Sequence, residues 1–193
     1  MGRLPSCVGI VLAGGKSRRF GRPKAWAKFG ESSFVERLYL LLRETFGQAY
    51  VVLHEDSAEF AGMETLVDRM SEGGPMNGIY SALAGSRAPA VFVAACDLPR
   101  LGPPDIERLL QAWRPEFPAL VYRRRERWEP LCGIYHSRLL PALRQSLEIG
   151  RYGLQEFLTR NGAAGLEYSE EGAVDGLANV NTPEEYRELI EGR

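Results

Sequence analysis

The chain has 193 residues, 45% of them hydrophobic and 25% charged, with a formal net charge of −1. That length suits one domain over residues 1–193, and the balanced charge gives no global pull toward nucleic acid or an anionic membrane. Cys7, Cys96 and Cys132 are widely spaced and odd in number, which argues against a disulfide framework or structural zinc site and suits a cytoplasmic compartment; no run has the roughly 18 apolar residues of a membrane span.

Cys7–Leu12 is apolar without alternation, which predicts a strand buried on both faces. It stops at Ala13-Gly14-Gly15. The cations Lys16, Arg18, Arg19, Arg22, Lys24 and Lys28 then follow, with no acid before Glu31. Glycines let backbone N–H groups approach a phosphate, and the cations attract it. A solvated basic loop is the plainer alternative. Ser32 or Ser33 can cap a helix to about residue 45, with Phe34, Val35, Leu38, Leu41 and Leu42 on one stripe and Gly47 at its end. Residues 50–53 predict a second strand, and Thr65–Val67 a short third one ending at Asp68.

A glycine-rich turn over residues 71–78 leads into a helix near 79–84. Ala90–Ala95 is the most strand-like run and ends in Cys96-Asp97-Leu98-Pro99. Pro103 and Pro104 open a helix over 105–113. Residues 119–122 and 130–135 flank a charged run at 123–127 and predict an antiparallel hairpin or a strand pair at the sheet edge. Helices are expected over 138–147 and 154–159, and a last short strand over 178–180. Thr182, Pro183 and Glu185 then open a C-terminal helix with a capping box. This alternation predicts an α/β fold, a three-layer α/β/α Rossmann-like domain with a mostly parallel sheet. Ligands in such sheets bind beyond the carboxyl ends of the strands, where all the unusual loops fall.

Two well-known phosphate templates are absent. Lys24 follows Pro23 and precedes Ala25, so there is no G-x-x-x-x-G-K-[ST], and the glycine spacing does not fit G-x-G-x-x-G. Residues 12–24, Leu-Ala-Gly-Gly-Lys-Ser-Arg-Arg-Phe-Gly-Arg-Pro-Lys, closely resemble the L-A-G-G-x-S-x-R-x-G-x-x-K signature of nucleotidylyltransferases. The resemblance continues through Gly74-Pro75-Met76-Asn77-Gly78-Ile79, Cys96-Asp97-Leu98-Pro99, Glu129-Pro130-Leu131 and Asn179-Val180-Asn181-Thr182-Pro183. Together these motifs are similar to those of the molybdenum cofactor guanylyltransferase family. The chain departs from that pattern at Phe20, Pro23 and Asn77.

The resemblance implies transfer of GMP from GTP to molybdopterin, with release of pyrophosphate and dependence on Mg2+. Further partners would be other cofactor-biosynthesis proteins and molybdoenzyme apoproteins. Lys24 and Arg19 are the expected catalytic cations. Asp97 is the expected Mg2+ ligand, since a carboxylate closing an apolar strand can hold a hydrated metal. Leu12, Ala13, Gly14 and Gly15 are expected to present backbone to the nucleotide, with Asp68 beside them. Gly14 and Gly15 favour guanine over the L-A-A-G of related cytidylyltransferases. Asn179 and Asn181 are candidates for the acceptor, or equally turn formers before the last helix. The run at 123–127 reads as a phosphate clamp or a solvated turn, and Trp128 as a stacking platform or a cover for the sheet edge.

Overall fold

The structure, a computed structural model, describes residues 7–13, 27–54, 62–168 and 175–192. In chain order the strands are β1 (Cys7–Leu12), β2 (Lys28–Phe29), β3 (Ser32–Ser33), β4 (Ala49–Leu53), β5 (Thr65–Val67), β6 (Ala90–Ala95), β7 (Ala119–Arg124), β8 (Arg127–His136) and β9 (Ala164–Glu167). The helices are α1 (Phe34–Phe46), α2 (Pro75–Ser86), α3 (Pro103–Ala112), α4 (Leu140–Glu148), α5 (Leu154–Arg160) and α6 (Pro183–Glu191). Seven strands form one sheet in the order β5-β4-β1-β6-β8-β7-β9, and β2 pairs with β3 apart from it. Only β8 runs against the others, antiparallel to both β6 and β7. The expected mostly parallel sheet is therefore what forms. Among the described residues, no helix is long and apolar enough to cross a membrane.

The absence of polar alternation in β1 and β6 follows from burial on both faces. Val11, Phe92 and Ala94 pack with Leu38 and Leu42 of α1 and with Ile106 and Leu109 of α3. Ile10, Val91 and Val93 face the other way, onto Ile79 of α2, Leu143 of α4 and Phe157 of α5. This is the layered α/β/α arrangement. A third, smaller cluster joins Ala27 and Phe34 to Val180 and to Leu189 of α6, with Phe29 and Tyr186 against it.

Local signals explain most boundaries. Ser33 caps α1 in a capping box with Glu36, and Gly47, at φ 80°, ends it. Three elements differ from expectation. α2 starts at Pro75 rather than near residue 79, because proline at the first helical position and Gly74 before it make a good start. Residues 178–180 form no strand: Val180 N–H makes one ladder-like bond, to the Asp97 carbonyl at 3.0 Å. The outermost strand is instead β9, whose sequence Ala-Gly-Leu-Glu carries little strand signal. The β7–β8 hairpin forms as expected but lies inside the sheet, with β9 as the edge.

α1 can lie close on β1 because residue 9 has no side chain. A Cβ there would stand 2.6 Å from Leu42 Cβ. Gly9→Ala is therefore expected to lower stability by about 1–3 kcal/mol through overpacking, read as an earlier urea unfolding midpoint with an unchanged slope.

Candidate functional site

The parallel strands bring their carboxyl ends to one edge. The ladder runs on past them: Ala13 N–H donates to Val52 O at 3.1 Å, Cys96 N–H to Leu12 O at 3.1 Å, and Asp68 N–H to Leu53 O at 2.9 Å. Leu12, Ala13, Asp68 and Asp97 are thereby gathered at one edge. Gly14, Gly15, Arg19 and Lys24, with Lys16, Arg18 and Arg22, lie outside the described residues.

Two cavities open on this edge. The first, about 510 Å³, is walled by Leu12, Val52, His54, Asp68 and the glycine-rich turn up to Gly78. Gly78 lets α2 lie against β1, since a Cβ there would come 2.9 Å from Leu12. Asn77, one of the departures from the family pattern, is a buried brace. Its Oδ1 accepts from Met70 N–H at 3.3 Å and its Nδ2 donates to Met70 O at 2.5 Å, folding the turn back over α2. Burial pushes the Asp68 carboxyl up from its ordinary value to about 6, against opposing pulls from His54 and a Ser81 hydrogen bond. Asp68 Oδ1 is buried without a hydrogen-bond partner. At the rim, Tyr152 Oη donates to Glu72 Oε2 at 3.1 Å, tying the α4–α5 connection to the turn. Sequence reasoning missed this pair, and only the closed fold brings it together.

The second cavity, about 870 Å³, is made by an irregularity in β8. Val121 pairs with Gly133, but the next residue, Tyr122, pairs with Glu129, so Pro130, Leu131 and Cys132 bulge out of the β7 ladder. Bulges re-aim side chains beside sites. This one is anchored by Tyr135, a fully buried side chain whose Oη donates to Pro130 O at 2.6 Å. It also needs Gly133, where a Cβ would fall 2.5 Å from Val121 Cγ1 and 2.7 Å from Leu120 O. Leu98, Leu131, Tyr168 and Leu177 supply apolar wall, and Arg124, Arg125, Arg127 and Glu129 supply charge. Cys132 also lines it, but burial pushes that thiol well up, so it is no thiolate nucleophile at neutral pH.

Asn179 lines this second cavity, whereas Asn181 does not. The Asn181 backbone N–H donates to the Glu185 carboxylate, as part of the α6 cap. The charged run divides. Arg124 donates to Asp175 at 2.5 Å, stands 3.6 Å from Glu129 and lies over the Tyr168 ring at 4.8 Å. Burial pushes the Glu129 carboxyl up, while Arg124 and Arg127 pull it back. Trp128 is pinned: Nε1 donates to Thr159 Oγ1 at 2.9 Å, and Gln155 bonds its backbone N–H and carbonyl. The Arg123 guanidinium covers its ring at 5.2 Å, and the indole packs on Gly165 of β9. Covering the sheet edge is thus its structural task, although it also lines the cavity.

Asp97 follows β6 between the two cavities. Its neighbour Cys96 is bonded to Leu12 of the first, and Leu98 walls the second. No group of three or more His, Cys, Asp or Glu side chains gathers among the described residues. One half-buried carboxylate does not make an all-protein cage. It does fit a hard divalent cation that keeps several waters and shares phosphate oxygens of a substrate.

Asp68 carries a pH consequence. With its folded value near 6 and its ordinary one near 3.8, the folded state binds the proton more tightly. The stabilisation is full below about pH 4 and lost as pH rises through about 6. Asp68→Asn should flatten that fall, measured by thermal melts across the range.

Three comparisons with known proteins agree with this geometry. A family model described as "MobA-like NTP transferase domain" matches residues 9–165. A "Probable molybdenum cofactor guanylyltransferase" from Geobacillus sp. (strain WCH70) is 32% identical, over 95% of this chain and 97% of that one. A crystal structure of a protein from Aquifex aeolicus superposes with a TM-score of 0.77 at 29% identity, covering 91% of this chain and 93% of the other. The "Molybdopterin-guanine dinucleotide biosynthesis protein A" of Archaeoglobus fulgidus has the same fold, with a TM-score of 0.79 at 22% identity, covering 95% and 96%. The chain is a nucleotidyltransferase and belongs to the MobA-like NTP transferase family.

Proposed function

We propose that the protein transfers GMP from GTP to molybdopterin, forming the guanine dinucleotide form of the cofactor and releasing pyrophosphate. The observation that carries this reading is that the residues flanking Asp97 join two cavities: Cys96 is bonded to Leu12 of the cavity at the end of β1, and Leu98 walls the arginine-lined cavity at the β8 bulge. A transferase that joins two phosphates needs its donor and acceptor on either side of one point. The name of the 32%-identical relative supports this choice of substrates.

In this reading the first cavity takes the guanine nucleotide beside Leu12 and Asp68, and the backbone groups of Ala13, Gly14 and Gly15 serve the same nucleotide. Lys24 and Arg19 draw the triphosphate to the edge of the sheet. An oxygen of the acceptor phosphate attacks the α-phosphorus of GTP in line, and the bond from that phosphorus to the bridging oxygen of pyrophosphate breaks. The attacking phosphate is already ionised at neutral pH, so no side chain has to act as general base. Lys24 and Arg19 stabilise charge on the leaving pyrophosphate. Asp97 would hold Mg2+, which neutralises charge on the phosphoryl oxygens. Asn179, in the second cavity, faces the acceptor. The Asn181 side chain is the second candidate for the acceptor, its backbone N–H being held by the α6 cap. The product passes on to molybdoenzyme apoproteins in the cytoplasm.

Pyrophosphate release with molybdopterin is expected with GTP and Mg2+, but not with CTP or ATP. Turnover with CTP alone would sink the guanine assignment. Asp97→Asn and Lys24→Ala should each slow the reaction by about a hundredfold or more while the far-ultraviolet circular dichroism stays unchanged. An undiminished Asp97→Asn rate removes that residue from the metal site.

A further inference from the structure

We infer that Glu129 reads the acceptor's ring: its carboxylate accepts the adjacent ring N–H and exocyclic amine of a 2-amino-4-oxo-pteridine lodged in the cavity of the β8 bulge. This rests on the acceptor reading proposed above and assigns a specificity residue within it.

A long strand does not lose its pairing by accident where a fully buried tyrosine spends its hydroxyl on the bulged carbonyl. The distortion is built into the interior, and its product is the 870 Å³ cavity. That volume lies in the range of small-molecule sites and exceeds what a phosphate alone would need. Leu98, Leu131 and Leu177 give it apolar wall suited to a flat ring system.

Its charge pattern then divides the ligand. Arg125 and Arg127 stand at the hairpin turn, where an anionic group would be drawn. Glu129 stands among the same arginines and would repel a phosphate brought beside it. A carboxylate retained in such a cavity must meet the part of the ligand that donates hydrogen bonds. Holding Arg124 is not a sufficient reason for it. Arg124 already has Asp175 at 2.5 Å, against 3.6 Å for Glu129, and half-exposed ion pairs contribute little.

The chemistry that fits is specific. A carboxylate offers two acceptor oxygens side by side and no donor. Its complement is a pair of parallel N–H donors, the arrangement that makes guanidinium–carboxylate forks strong. The N3–H and 2-amino group of a pterin form such a pair. A lumazine, with a 2-oxo group in place of the amine, puts an acceptor against the carboxylate instead. The two ring systems have nearly the same shape, so shape alone cannot separate them.

The test uses 6-hydroxymethylpterin monophosphate and the corresponding lumazine, with binding followed by their own fluorescence on the full-length protein. Wild type should bind the pterin about tenfold or more tightly than the lumazine. Glu129→Gln, which places one acceptor and one donor in the same outline, should abolish or reverse that preference. Glu129→Asp should keep its direction. A loss of stability alone would weaken both ligands alike and leave the ratio unmoved. Equal binding of the two by wild type, failure to bind either, or a preference that survives Glu129→Gln overturns the inference. Pyrophosphate release from GTP and molybdopterin by wild type separates this outcome from the proposed function. A pterin preference without turnover sinks the function and keeps the ring assignment. Turnover whose acceptor KM is unchanged in Glu129→Gln sinks the ring assignment alone.

Discussion

The hydrogen bond from the Cys96 N–H to the Leu12 carbonyl, 3.1 Å long, continues the β1–β6 ladder past the ends of both strands. Parallel neighbours leave the sheet at the same level, so Ala13 and Cys96 depart side by side, with Asp97 one residue on. The rest of the site depends on that seam. On one flank, α2 lies on Leu12 through Gly78 and brings the glycine-rich turn with it. On the other, β8 pairs with β6 only as far as Ala94 and Cys132, and the bulge opens beyond. The seam is stiff because its strands are packed on both faces by buried aliphatic and aromatic side chains.

Much of this was legible in the order of residues. The apolar runs of β1, β5 and β6 have their observed bounds; β1 and β6 declare themselves by the continuous hydrophobicity of strands buried on both faces, whereas β5 is a short, largely exposed edge strand. Asp68 and Asp97 were legible as acids that end such runs. The bulge was not. It rests on a hydroxyl bond from Tyr135 to Pro130 and on backbone crowding at Gly133, both of which require the folded hairpin. Proline and glycine inside a strand were its faint local signals. β9 escaped notice because its place at the edge comes from pairing with β7 and from the indole packed on Gly165. Residues 178–180 misled because Val180 gains its burial against α6 without joining the sheet.

The five-residue charged run shows how composition hides a division of labour. Arg123 is spent on the Trp128 face and Arg124 on Tyr168 and Asp175. Arg125 sits in the two-residue hairpin turn at φ 55°, a left-handed conformation that costs a side chain about 1 kcal/mol. Asp175 also accepts from Leu177 N–H, and Tyr168 Oη from Gly176 N–H, at 2.9 Å each. The inner arginine therefore fastens the segment that carries Asn179 over the cavity. The turn arginine remains at the rim in a conformation that the tight loop imposes.

The small cluster under α6 bears on the order in which the protein can be completed. Tyr186 Oη donates to Lys28 O at 2.8 Å across 158 residues of chain, and Val180 holds the Asp97 carbonyl. A ribosome delivers the cationic loop well before this clasp. The sheet strands are all available before α6 emerges, yet Lys28, just beyond the loop, and the backbone of Asp97 gain their common tether only then. Completion of the nucleotide edge is thus coupled to the emergence of α6, which closes what β1 begins.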